Sequence, residues 1–138
     1  GAALDKHCPD GIDVYFDNVG GETLDAVLAR LNEHARLPIC GQISAYDVMN
    51  SADQYGIRNF PNLLRKHATV TGFSVRDNMD MFEEFVLRMA ALMKSGDVVY
   101  TEDIVDGIEN APDAFIGMMR GENIGKRLVR VGEDPTLG

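Results

Sequence analysis

The sequence predicts an α/β fold built on a parallel sheet. Three observations support this fold class: short β-prone runs alternate with segments of helical periodicity, the connections between them are short, and small or polar residues follow the predicted strands. Strand–helix–strand order with short connections is typical of a parallel sheet with right-handed crossovers. At 138 residues, the chain is long enough for one domain with a core of its own.

The first predicted unit is strand, helix, strand. A β-prone run at 12–17 follows the turn signal Pro9-Asp10-Gly11 and ends at Asn18. The predicted helix opens at Gly20-Gly21, and its apolar residues have the spacings of one helical stripe: Leu24, Val27, Leu28 and Leu31. A second strand is predicted at 36–40, where Gly41 closes it.

The rest of the chain continues the alternation. After a polar stretch to Gly56, we predict a helix at 59–66, a strand at 68–75, an extended segment at 98–105, a helix at 110–119 and a last strand at 126–131. The strongest helix is predicted at 78–94 with Asp77 or Asn78 as its N-cap. The apolar residues of this helix are spaced along one face, so we predict that their side chains fill the hydrophobic core: Met81, Phe82, Phe85, Val86, Met89, Leu92 and Met93.

Composition and charge exclude several classes of function. The formal net charge of −9 predicts repulsion from nucleic-acid phosphates and from anionic lipid. No apolar stretch approaches the roughly 20 residues of a membrane span, and the N-terminus lacks the order of a signal peptide. We therefore predict a cytoplasmic protein that binds neither nucleic acid nor membrane. The abrupt start at Gly1 indicates a chain cut from something longer.

Cysteine and histidine do not form a metal-binding pattern. Cys8 and Cys40 are too few for a disulfide framework and lack the CxxC spacing of structural zinc. His7, His34 and His67 are scattered along the chain. The prediction is no metal site, and a reducing compartment.

Three predicted strands end in residues that suit a ligand lying close to the backbone. These segments are 17–21, 40–44 and 73–75, and ligands of open parallel sheets bind outside the carboxyl ends of strands. Asn18 could hydrogen-bond an amide or a ribose hydroxyl, and the phenol of Tyr46 could donate a proton or orient a substrate. The alternative is that Gly20, Gly21 and Gly41 are only turn glycines; pattern alone leaves both interpretations open.

Four segments resemble one family. The sequences at 15–22 (YFDNVGGE) and 39–46 (ICGQISAY), followed by 107–115 (GIENAPDAF) and 121–126 (GENIGK), resemble the zinc-independent medium-chain dehydrogenase/reductases. The most similar group contains prostaglandin reductases, leukotriene hydroxydehydrogenases, plant alkenal reductases and curcumin reductase-like enzymes. The resemblance covers nearly the whole chain in the family's order.

The resemblance implies both a fold and an activity. The fold would be the second half of a Rossmann doubly wound parallel sheet at 1–97, with a C-terminal segment at 98–138 whose helix and strand return to a GroES-like catalytic domain. The activity would be NADPH-dependent reduction of the carbon–carbon double bond of α,β-unsaturated ketones or aldehydes by hydride transfer. A homodimer joined at the sheet edge near 68–75 is also implied.

The site residues are carried over from the same resemblance. Asn18 would contact the cofactor from the end of its strand, and Asn123 would reach back to it from the final segment. Tyr46 is the candidate catalytic residue and would orient ribose or substrate. The remaining cofactor-binding residues would wrap or flank the nicotinamide-ribose side: Cys40, Gly41, Gln42, Ile43, Ser44, Phe73, Ser74 and Val75.

The chain departs from the family's pattern in its length. Intact relatives also have the glycine-rich turn that holds the pyrophosphate and the basic residue that selects NADP, so the preference for NADP rests on analogy. We expect the 138 residues alone to be inactive, and to self-associate through strand edges left unpaired. The alternative function is a non-catalytic α/β interaction or nucleotide-binding module; methyltransferase-like and flavodoxin-like domains share the architecture as a minor third option.

Overall fold

A computed structural model of the protein describes residues 1–133, and its backbone forms two compact units. The first unit is Gly1–Met79 and the second begins at Asp80. Both contain parallel strands with helices in their connections, so the predicted α/β fold class is confirmed. The predicted division at residue 97 concerns the return of the chain to a catalytic domain, and it stays a prediction.

The first unit is a three-stranded parallel sheet with helices. Its elements in chain order are α1 (Ala2–His7), β1 (Ile12–Val14), α2 (Gly21–Leu28), β2 (Leu31–Ile39), α3 (Pro61–Arg65) and β3 (Thr69–Gly72). The strand order is β1-β2-β3, which places β2 in the centre. Pro61 lies in the first turn of α3, where its missing N–H costs no hydrogen bond.

The core of this unit lies between α2 and the sheet. Helix α2 contributes Val27 and Leu28, and the strands contribute Ile12, Leu31, Ala35 and Leu37. The predicted helical stripe is therefore correct at 27 and 28, but Leu31 belongs to the next strand. The chain turns after Leu28, and the amide of Ile12 donates to the carbonyl of Arg30, which draws Leu31 into the sheet.

Strand β2 begins five residues earlier than predicted and contains an irregularity. Ile12 pairs with Leu31, whereas Val14, two residues later, pairs with Arg36. Within the extra residues of β2, His34 has a positive φ of 61° and its amide donates to the carbonyl of Lys66. Polar residues in this stretch hide the strand from a search for alternating hydrophobicity.

The second unit combines one long helix with a small sheet. Its elements are α4 (Phe82–Ser95), β4 (Glu102–Asp106), α5 (Ala111–Met119) and β5 (Lys126–Arg130). Strands β4 and β5 pair in parallel, and α5 buries Ala114 and Gly117. Ion pairs Arg127–Asp103 at 3.2 Å and Arg130–Asp106 at 2.9 Å join the two strands side by side.

Two predictions about the long helix are wrong. The chain passes through a 3₁₀ segment at Val75–Met81, so α4 starts at Phe82 with Met81 as its N-cap, and neither Asp77 nor Asn78 caps it. The side-chain amide of Asn78 instead donates to the backbone carbonyl of Ser74. The prediction that the apolar face of this helix fills the core is also wrong, because α4 has no buried residue. Periodicity identifies an apolar stripe, but it does not show whether the same chain supplies the element that covers it.

Candidate cofactor-binding site

The candidate site lies at the carboxyl edge of the first unit's sheet. Strands β1, β2 and β3 are parallel, so the segments that follow them emerge at the same edge. These are the segments at 17–21, 40–44 and 73–75 predicted from the sequence. Open α/β sheets bind ligands at this edge.

Asp17 organises the first of these segments. Its side chain is fully buried, and Oδ1 accepts hydrogen bonds from the amides of Val19 at 2.8 Å and Gly20 at 2.9 Å. The hydroxyl of Tyr15 donates to the same oxygen at 3.0 Å. The turn therefore folds around the carboxylate, and Asn18 at its start remains exposed.

Tyr15 acts as a donor in this arrangement. Partial burial, followed by its hydrogen bond to the Asp17 carboxylate and the negative charge there, raises the pKa of Tyr15 to about 12. The phenol consequently keeps its proton at neutral pH. The structure thus assigns Tyr15 to holding Asp17 in place.

The two glycines of the turn adopt backbone conformations that other residues avoid. Gly20 has φ 70° and ψ −154°, a region that is essentially restricted to glycine, and Gly21 has a φ of 54°. Gly20 is the N-cap of α2 and Gly21 is its first residue. Their conformations bring the chain from the strand end directly into the helix, so these glycines do more than mark a generic loop.

The second segment is hydrogen-bonded to the first. The backbone carbonyl of Asp17 accepts from the amides of Cys40 at 2.8 Å and Gly41 at 3.0 Å, and the carbonyl of Asn18 accepts from Ile43 at 3.1 Å. Ser44 adds two bonds to the carbonyl of Val19, from its amide at 3.1 Å and its hydroxyl at 2.6 Å.

Close packing at Gly41 keeps these two turns together. A Cβ added to Gly41 would lie 3.3 Å from the carbonyl oxygen of Asn18. That distance is shorter than an ordinary van der Waals contact, so a side chain here would press on the backbone of the first turn. The two turns therefore form one hydrogen-bonded unit, and predicted residues from both lie side by side.

The third segment follows β3. The amide of Phe73 donates to the carbonyl of Ile39 at 2.9 Å, and its ring meets that of Phe16 edge to face with centroids 5.3 Å apart. Ser74 is half-buried and accepts from the amide of Arg76, whereas Val75 is exposed. This segment thus continues the same edge with an aromatic pair and an apolar side chain.

A cavity of about 570 Å³ opens beside the joined turns. The N-terminal end of α2, the second turn and the segment at 53–57 line it, with side chains that include Glu22, Ser44 and Tyr55. First-turn amides of α2 face no intrahelical acceptor, as at any helix start. The cavity therefore adjoins backbone donors as well as polar side chains.

The far end of the loop at 47–60 is fixed by Asp25. This buried carboxylate accepts from the amides of Arg58 at 2.9 Å and Asn59 at 2.7 Å, and from the hydroxyl of Tyr55 at 3.0 Å. These bonds, led by that from the Asn59 amide, lower the pKa of Asp25. Sequence analysis missed this residue, although Asp25 lies three positions before the core residue Leu28 and so shares its helical face.

Two predicted site residues, Tyr46 and Asn123, lie outside the three segments that follow the strands. Tyr46 follows the 3₁₀ turn Ile43–Ala45 and is 70% exposed, so its ring projects from the edge of the site. Asn123 belongs to the second unit, where its side-chain amide donates to the carbonyl of Gly125 at 2.7 Å. The remaining predicted residues all lie in the three segments of the first unit.

The chemistry of this edge fits a nicotinamide cofactor. Exposed amide and hydroxyl groups on Asn18, Gln42 and Ser44 can pair with a carboxamide and ribose hydroxyls, and Ile43 and Val75 offer apolar surface. Within residues 1–133, no group of three or more histidine, cysteine or acidic side chains is arranged to hold a metal ion.

The fold and site define a class: the chain is part of a Rossmann-like nucleotide-binding α/β protein. Comparison with known proteins then identifies the family. The chain belongs to the family described as zinc-binding dehydrogenase, whose model matches residues 2–129. Among the described residues, no helix has the length and apolar character needed to cross a membrane.

Three relatives illustrate the match. The chain is 40% identical over 133 residues to 2-alkenal reductase (NADP(+)-dependent) of Nicotiana tabacum, covering 96% of this chain and 38% of that protein. It is 41% identical over 136 residues to NADPH-dependent curcumin reductase of Escherichia coli (strain K12), covering 95% and 39%. The crystal structure of CurA in complex with NADPH from Vibrio vulnificus matches with a TM-score of 0.81 and 39% identity, covering 96% and 40%.

These matches confirm the predicted family, and they show how much of each relative this chain corresponds to. The chain spans about 40% of the length of the relatives it matches. The observed parallel α/β fold also agrees with the CurA structure, as the fold prediction requires.

Proposed function

We propose that this chain is the C-terminal part of an NADPH-dependent oxidoreductase that reduces the carbon–carbon double bond of α,β-unsaturated ketones or aldehydes. One observation carries the proposal. The two turns joined by Asp17, Asn18 and Ser44 contain two of the four segments that resemble this family, and they lie at the sheet edge where a nucleotide binds. Relatives of about 40% identity are named as alkenal and curcumin reductases.

When bound, NADPH supplies the hydride that reduces the β-carbon of the enone, and the α-carbon is then protonated. The residues of this chain orient the cofactor. Asn18 offers a side-chain amide beside the rigid turn, and the segments at 40–44 and 73–75 would flank the nicotinamide-ribose end. The exposed phenol of Tyr46 is available to orient ribose or substrate. Asn123 stays a predicted contact of the cofactor, and its side-chain amide donates to the carbonyl of Gly125.

We also propose that activity needs more than these 138 residues. The cavity beside the turns is lined by Glu22 and Asp53, so it is poorly suited to phosphate groups. The pyrophosphate site and most of the substrate pocket would lie in the preceding part of a longer protein.

A homodimer is the proposed assembly. Strand β3 is the edge of its sheet, each of its residues is exposed, and Val70 presents an apolar side chain there. An unpaired edge of this kind can pair with a second copy. The same exposed edge supports the alternative function, an α/β interaction module without catalytic activity.

The test compares the full-length protein that carries this chain with the 138-residue chain alone. Oxidation of NADPH at 340 nm is followed with a panel of enones and alkenals. We expect turnover by the full-length protein and none by the chain alone. If the full-length protein neither binds NADPH nor reduces any enone, the reductase proposal is wrong and the interaction module remains.

A variant pair locates the cofactor contact. Asn18→Ala removes the exposed amide at the strand end, and loss of one hydrogen bond should raise the KM for NADPH about two- to tenfold. Asn110→Ala is the matched control, since the side chain of this exposed asparagine donates to the carbonyl of Asp106 in the second unit. Equal effects from both substitutions would remove Asn18 from the site.

A further inference from the structure

Asp17 lies beneath the candidate site and contacts both turns that form it. Its carboxylate holds the first turn through the amides of Val19 and Gly20. Its backbone carbonyl holds the second through the amides of Cys40 and Gly41.

A carboxylate is energetically costly at this position because the position is buried. The side chain of Asp17 is 0% exposed, and its second oxygen, Oδ2, has no hydrogen-bond donor within residues 1–133. A buried charge is costly unless it is hydrogen-bonded, and an apolar side chain would be easier to bury. All three donors to the carboxylate converge on Oδ1. The oxygen Oδ1 of Asp17 is therefore the acceptor that holds the turn, through the amides of Val19 and Gly20.

The direction of these bonds determines where Asn18 lies. The amides on its C-terminal side, those of Val19 and Gly20, are fixed by the carboxylate, and its own carbonyl is fixed by the amide of Ile43. Asn18 itself remains exposed. A residue that is held on both sides and free at its side chain is preorganised to bind a ligand.

We propose that Asp17 is a positioning residue of the cofactor site, which sets the turn of Asn18 against that of Gly41 without touching the cofactor. The inference rests on the proposed function, because it concerns the binding of NADPH. Tyr15 supports it from the strand by donating to the same carboxylate oxygen. Asp17 acts through the turn amides, and Asn18 makes the contact.

The test uses Asp17→Asn in the full-length protein. Asparagine keeps the shape and one acceptor oxygen, but hydrogen bonds to a neutral acceptor are roughly half as strong as those to a charged one. We expect the KM for NADPH to rise about tenfold, while the KM for the enone stays within about twofold. Hydrogen exchange of the amides at 18–21 should also become faster than in the wild type.

A control separates positioning from general loss of stability. Val27→Ala removes buried side-chain volume from α2, away from both turns, and so lowers stability alone. Loss of folded enzyme lowers the apparent kcat but leaves KM unchanged, so Val27→Ala should not alter the KM for NADPH. An increase matching that of Asp17→Asn would overturn the inference.

The remaining outcomes are also decisive. A folded Asp17→Asn enzyme whose NADPH KM stays within about twofold of the wild type overturns the inference. If that variant does not fold, Tyr15→Phe takes its place; losing one donor should raise the KM about threefold, and an unchanged KM overturns the inference. If the wild-type full-length protein does not turn over NADPH, the proposed function itself is wrong, and the role of Asp17 in it is wrong as well.

Discussion

Gly21→Ala tests whether the first and second turns are packed as closely as the structure indicates. Gly21 has a φ of 54°, and a Cβ built there would lie 2.8 Å from the hydroxyl oxygen of Ser44. Alanine in a left-handed conformation costs about 1–2 kcal/mol. Moving the Ser44 hydroxyl away sacrifices its hydrogen bond to the carbonyl of Val19, worth about 1 kcal/mol.

An opposing effect reduces the loss in free energy of unfolding caused by Gly21→Ala. Alanine restricts the unfolded chain more than glycine does, which returns about 0.4–1 kcal/mol. The net loss in free energy of unfolding should therefore be about 2 kcal/mol. Far-UV circular dichroism during urea unfolding measures it, and Gly72→Ala is the control because a Cβ at Gly72 meets no atom within 4 Å. We expect that control to be neutral or slightly stabilising.

A double-mutant cycle separates the steric part from the backbone part. In a Ser44→Ala background the hydroxyl is absent, so Gly21→Ala should cost only its backbone strain, and the coupling energy should be about 1 kcal/mol. Ser44 Cβ remains 3.3 Å away, which a small backbone shift accommodates. Additive free energies, within about 0.3 kcal/mol, would refute the close approach of the two turns.

Three further predictions address the core, the loop and the sheet edge. Leu37→Ala, at a fully buried position of β2, should lower the free energy of unfolding by about 2–5 kcal/mol in urea titrations. Asp25→Asn should destabilise the chain at neutral pH; because the folded pKa is depressed, this difference should persist above the ordinary aspartate pKa of 3.8 and disappear as pH falls through the lower folded value. A difference independent of pH in unfolding measurements would contradict this. Val70→Lys places a charge on β3, so sedimentation velocity should show less self-association than the wild type, whereas an unchanged profile would exclude that edge as the contact.

The order of elements could be predicted from the sequence, and their limits could not. Apolar spacing located α2 because burial acts along one face of a helix. It extended the helix to Leu31 and missed the start of β2, because that strand pairs through polar residues and an irregular stretch at His34. Pairing with β1 and with Lys66 decides that geometry, and neither partner is visible in a local window.

Residues that face a ligand were easier to predict than those that hold them in place. Asn18, Gly41 and Ser44 follow strand ends, and a parallel sheet brings strand ends to one edge. The contacts of Asp25 join residues more than thirty positions apart along the chain, so local sequence does not indicate them. Asp17 is an intermediate case, since its own turn is local but its role at Cys40 depends on the pairing of β1 with β2.

The electrostatics of the first unit indicate which end of a dinucleotide it receives. The cavity beside the turns has Glu22 and Asp53 in its lining, with no lysine or arginine among its described lining residues. Such a surface repels phosphate, while amides and hydroxyls at the strand ends suit an uncharged carboxamide and ribose. We therefore propose a division of labour, in which this portion would orient the reactive end of the cofactor and donors outside it would hold the phosphates.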